Sequence, residues 1–69
     1  MTKYLIYGEG NKKPIRKTKH ENDAFQFAFD FKNLQQYGCM TIVRAEENDG
    51  RQVWDSDLMA WINMEDNNG

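Results

Sequence analysis

Asn22-Asp23-Ala24-Phe25-Gln26-Phe27-Ala28-Phe29-Asp30-Phe31-Lys32-Asn33-Leu34-Gln35-Gln36-Tyr37 is the stretch on which the fold turns. Phe25, Phe27, Phe29 and Phe31 alternate with Gln26, Ala28 and Asp30, which by itself is the period of a strand. Three features favour a helix instead. The run continues through Lys32, Leu34, Gln35 and Gln36, which are good helix formers. Thr18-Lys19-His20-Glu21 fits a capping box, with Asn22 as a second N-cap candidate. Gly38 then supplies a stop. On a helix, Ala24, Phe27, Ala28, Phe31 and Leu34 form one apolar stripe. Phe25 and Phe29 lie roughly 100° or more around the helix from that stripe. They either widen the buried arc or stay partly exposed.

Outward from this segment, the flanks read as strands. Lys3–Tyr7 is rich in aromatic and branched residues and ends at a Gly8-Glu9-Gly10-Asn11 turn. Lys12–Lys19 is basic and contains Pro14, which suits a short edge strand or an extended arm. Cys39–Ala45 is a strand, with Cys39 a small buried residue at its start. Glu46–Gly50 is a polar turn with a hairpin Asp-Gly, and Arg51–Trp54 is the returning strand. Asp55-Ser56-Asp57 looks like a helix N-terminus, followed by Leu58, Trp61 and Ile62 at helical spacing.

The expected fold is therefore α+β. An antiparallel sheet of three or four strands carries one central helix on one face, with a short C-terminal helix after it. Strand order stays open. Residues 1–66 form a single small domain, and 67–69 a frayed tail.

With 69 residues and one cysteine, Cys39, the chain has a modest core and no internal disulfide. His20 is its single histidine, which excludes a zinc set of the usual Cys/His spacing. No metal and no cofactor is expected. Gly8-Glu9-Gly10 starts like a dinucleotide fingerprint, but Lys13 stands where the third glycine belongs. Asp55-Ser56-Asp57 resembles a metal-binding pair but reads better as a cap. His20 and Cys39 lack a third catalytic member, so no catalytic residue is assigned and no enzyme is expected. The mean hydropathy of −0.91 and the short apolar runs give no membrane segment and no export signal, so the expected compartment is the cytoplasm.

The formal net charge of −2 hides a polarity. Residues 1–33 carry seven Lys/Arg and four Asp/Glu, whereas residues 34–69 carry two and seven. Such a gradient can steer a charged partner, although two solvated faces explain it as well. Glu46, Glu47 and Asp49 are candidate contacts for a basic protein site. Phe25 and Phe29 are candidate anchors for a protein partner, or for a second copy docked through the helix. Lys12, Lys13, Arg16, Lys17 and Lys19 form the alternative site, for nucleic-acid phosphates, with Tyr4 and Tyr7 as stacking surfaces.

Lys3–Tyr7 as first strand, Ala24–Tyr37 as helix and Cys39–Trp54 as hairpin give an organisation that resembles small phage-encoded β-α-β-β proteins, among them compact anti-CRISPR inhibitors. The resemblance covers most of the chain and rests on no specific motif. It implies stoichiometric, non-enzymatic binding to a host defence complex and carries over no functional residue.

Overall fold

The structure, a computed structural model, describes residues 2–46 and 50–64. Five strands and two helices follow in the order β1 (Lys3–Tyr7), β2 (Arg16–Thr18), α1 (Glu21–Phe29), α2 (Phe31–Tyr37), β3 (Thr41–Ala45), β4 (Arg51–Asp55) and β5 (Ala60–Asn63). The strands make one sheet, ordered β2-β1-β3-β4-β5, and every neighbouring pair is antiparallel. The α+β class and the antiparallel sheet match the expectation from sequence; the strand count and the C-terminal helix do not.

Alternation along the paired strands sorts the side chains between two faces. Tyr4, Ile6, Ile42, Arg44, Trp54 and Trp61 share one face, by their cross-strand pairings. Leu5, Val43, Val53 and Ile62 form a lateral row on the other. The helical segment covers the first face. Ala24 and Ala28 are buried against Tyr4, Ile6 and Ile42. These two alanines, one helical turn apart, bring the α1 backbone close to the sheet. Ile6 is fully buried, which stabilises the fold by about 1.5–3 kcal/mol.

The predicted single helix is two. Asp30 adopts an extended conformation (φ −69°, ψ 125°) and its side chain accepts a 2.8 Å hydrogen bond from the Lys32 amide, capping α2. Asp competes for nearby backbone donors and so favours caps over helix interiors. Asn33 Nδ2 donates to the Phe27 carbonyl at 3.1 Å, tying the break together. The continuous apolar stripe fails as a result. Ala24 and Ala28 are buried and Phe27 half-buried, but Phe31 is 74% exposed, Leu34 is also exposed, and α2 has no buried residue.

The predicted capping box does not form either. Thr18 ends β2, its hydroxyl donating to Asp23 at 3.4 Å and accepting from the His20 amide at 3.2 Å. His20 takes the N-cap position of α1 without a side-chain bond, and Asn22 lies inside the helix. The stop holds as expected. Gly38 sits at φ 73°, its N–H donating to the Leu34 carbonyl at 3.0 Å, in a region where a side chain is strained. A Cβ there would also lie 2.5 Å from Glu9 Oε1. Cys39, expected to be buried at a strand start, is instead exposed and precedes β3.

The second correction concerns the C-terminal segment. Asp55 Oδ1 does accept from the amides of Asp57 (2.9 Å) and Leu58 (3.1 Å), the hydrogen-bond chemistry of a helix cap. The chain then leaves the helical path at Met59, a left-handed residue with φ 54°, and returns as β5. Leu58–Asn63 is too short to hold a helix alone, whereas β4 offers an open edge to pair with.

Candidate functional site

Three surface regions carry the groups singled out in the sequence. The first is an aromatic corner where α1 meets the β4–β5 hairpin. Phe25 stands edge-on to Trp54, with centroids 4.8 Å apart at 78°, and 5.9 Å from Trp61. Trp54 and Trp61, direct cross-strand partners, meet edge-on at 5.3 Å. Tyr4 closes the cluster 5.9 Å from Trp61. These separations lie in the attractive range for aromatic pairs. Trp61 Nε1 donates to Glu21 at 3.3 Å, pinning the start of α1 to β5.

Phe25 thereby widens the buried arc, because two tryptophans distant in sequence supply its neighbours. Phe29 stacks on Phe25 (6.0 Å, 7°) but remains 55% exposed. Phe25, Phe29, Trp54, Ser56 and Met59 line a shallow depression of about 440 Å³. Met59 is 72% exposed, and Leu58 beside it is exposed as well. The two phenylalanines flagged in the sequence are thus together, one as a wall and one as a rim. Trp54 and Met59 were missed as parts of this surface. Trp54 reads locally as a core residue, and Met59 as part of a helix that does not exist.

The second region is the open face of the sheet. Leu5, Tyr7, Pro14 and Ala45 line a hollow of about 460 Å³ together with Lys3, Lys17, Arg51 and Glu46. The predicted basic site is split by the strand period. Arg16, paired with Ile6, lies on the helix side, its guanidinium 5.0 Å from the Phe27 ring centre. Lys17, paired with Leu5, lies on the open face. Lys12 and Lys13 are exposed between β1 and β2, and Lys19 is exposed after β2. Tyr4, one of the two expected stacking residues, is buried in the core, whereas Tyr7 reaches the open face. Lys3 and Arg51 join Lys17 through cross-strand register, which no local pattern reveals.

The third region is the β3–β4 connection. Glu46 pairs with Arg44 at 3.3 Å and accepts from Thr2 Oγ1 at 3.3 Å. It lies at the Arg51 end of β4, away from the aromatic corner at Trp54 and Asp55. Glu47 and Asp49 lie outside the described residues.

His20 and Cys39 flank opposite ends of the helical segment, one before α1 and one after α2. Among the described residues no group of three or more His, Cys, Asp or Glu is placed to hold a metal ion, and no helix is long and apolar enough to cross a membrane. Comparison with models of protein families, with curated proteins and with solved structures finds no match to this chain.

Proposed function

We propose that the chain is a non-enzymatic protein-binding module that holds its partner at the aromatic corner. The supporting observation is the depression walled by Phe25 and Trp54 and rimmed by exposed Phe29 and Met59. Its outer residues need no solvent-facing apolar surface to complete the core, and aromatic and methionine side chains are the types enriched at interfaces. Glu21, Asp55 and Asp57 border this end of the molecule. The partner surface that fits is an apolar side chain flanked by Lys or Arg. Stoichiometric inhibition of a host defence complex, as implied by the resemblance to phage-encoded inhibitors, is one use of such a surface.

The test is affinity capture from a host lysate with the wild-type chain and with a Phe29→Ser/Met59→Ser double variant. Both substituted residues are exposed, so the variant keeps its fold by circular dichroism. A partner held by the wild type and lost by the variant is expected. The same captured set for both chains would sink the proposal.

A second reading has its own observation. Lys3, Lys17 and Arg51 ring a hollow that contains Tyr7, an arrangement suited to the phosphates and one base of a single strand. Three phosphate contacts give a salt slope of about −2 for single-stranded nucleic acid. A low-salt titration with labelled oligonucleotide in which no complex forms removes this reading.

A further inference from the structure

We propose that a second copy of this chain joins β5 edge to edge and antiparallel, so that two sheets become one. The proposal rests on backbone groups and is independent of the aromatic corner.

The phase of the hydrogen-bond ladder comes first. The Glu46 amide donates to the Gly50 carbonyl at 2.8 Å, which makes positions 46 and 50 a hydrogen-bonded pair of the β3–β4 ladder. Hydrogen-bonded pairs alternate along antiparallel strands, so Arg44–Gln52 is the next. Arg51 and Val53 must then direct their backbone groups to the other side, toward β5. The Met64 amide donating to the Arg51 carbonyl at 3.0 Å agrees. Ile62, the partner of Val53, therefore bonds inward to β4. Trp61 and Asn63 turn their N–H and C=O groups away from β4, to a side where no described strand pairs.

The two sheet edges differ in how this row of donors and acceptors is guarded. On the opposite edge, β2 is three residues long, contains Arg16 and Lys17, and follows Pro14. Short length, lysine and proline are the devices that keep an edge unpaired. Ala60-Trp61-Ile62-Asn63 has no charge and no proline.

The sequence of β5 is self-complementary about Ile62. In a two-fold register centred there, Ile62 meets its own counterpart. Trp61 of each copy meets Asn63 of the other, forming about four N–H···O=C bonds. One step further out, small Ala60 faces the exposed Met64 of the other copy. The row Leu5–Val43–Val53–Ile62 then continues unbroken across the junction. Stacking two open faces instead would bring Lys3, Lys17 and Arg51 of one copy against those of the other, which like charge opposes. Because the two-fold axis is normal to the sheet, both helical layers lie on the same side. The dimer presents two aromatic corners to one partner surface, and such bivalency raises avidity without new contacts.

The test is sedimentation over a concentration series from about 1 μM to about 1 mM. The mass is expected to rise from 8.2 kDa toward twice that value. Asn63→Pro removes one outward amide together with the 3.0 Å side-chain bond from Gln52 Nε2, a bond that Asn63→Ala removes as well, and proline is tolerated where an edge N–H faces solvent. It is expected to weaken association at least about tenfold, a loss of roughly 1.4 kcal/mol, while Asn63→Ala associates like the wild type. Met64→Asp, at an exposed position beyond β5, loses association as well and covers the case in which the proline variant fails to fold. Hydrogen exchange at the Trp61 and Asn63 amides slows with concentration while that of Ile62 stays constant. A wild-type chain that is monomeric throughout the series overturns the proposal and leaves the edge to a foreign strand. A dimer that Asn63→Pro and Met64→Asp leave intact, but Phe29→Ser breaks, also overturns it and moves the contact to the helix.

Discussion

The two faces of the sheet alternate residue by residue along the same strands, yet among the described residues only one has a second layer. Leu5 and Ile6, Ile42 and Val43, Val53 and Trp54, Trp61 and Ile62 are adjacent in sequence and point opposite ways. On the covered face, Ala24 and Ala28 seal Ile6 and Ile42. On the open face, Val43 is nevertheless buried, at 4% exposure, with Leu5 and Val53 as its lateral neighbours. A helix layer and a lateral row are two ways of drying a strand. They differ in how much neighbouring structure each residue supports.

Substitutions that break this comparison rank by depth. Ile6→Ala removes a fully buried side chain beneath α1 and is expected to cost about 2–5 kcal/mol, enough to unfold much of a domain this small. Denaturant melts against the wild type measure it. Val43→Ala deletes less volume on a face that can relax into solvent, and a loss of about 1–2 kcal/mol is expected. A Val43→Ala loss equal to that of Ile6→Ala would mean that the open face is covered in solution.

The helical layer allows a finer comparison, since α1 is buried along one side and α2 is not. Gly38→Ala forces a side chain into left-handed backbone against Glu9, with an expected cost of about 1–2 kcal/mol in the same melts. Asp30→Ala removes the α2 cap at about 0.5–2 kcal/mol and is expected to speed hydrogen exchange in 31–37 while leaving 21–29 protected. Phe31→Ser is expected to move stability by no more than about 0.5 kcal/mol, because its ring is exposed. A large Phe31 effect would show that α2 has a partner the monomer lacks.

Much of the local structure was legible. Lys3–Tyr7 reads as a strand to the residue, from its branched and aromatic composition and the glycine turn that follows. Gly38 reads as a helix stop because left-handed backbone suits glycine. The break at Asp30 was written in a good capping residue but was outweighed by the helix formers after it. The capping chemistry of Asp55 was also present, but identical amide bonds open a turn as readily as a helix. Of the candidate sites, Phe29 was legible as surplus to the core. Trp54, Met59, Lys3 and Arg51 were not, because their relevance depends on which strand lies beside which.

The amino-acid sequence by itself determined the end of β1 before the Gly8 turn and the helix stop at Gly38, through the local preferences of glycine. Those preferences act through a residue's own backbone angles and the nearest few amides. Tertiary structure alone decided that 60–63 is an edge strand, that Phe25 is walled in by Trp54 and Trp61, and that Lys17 separates from Arg16 to join Lys3 and Arg51. Each of these outcomes follows from strand register across tens of residues, where a shift of one position exchanges the two faces of the sheet.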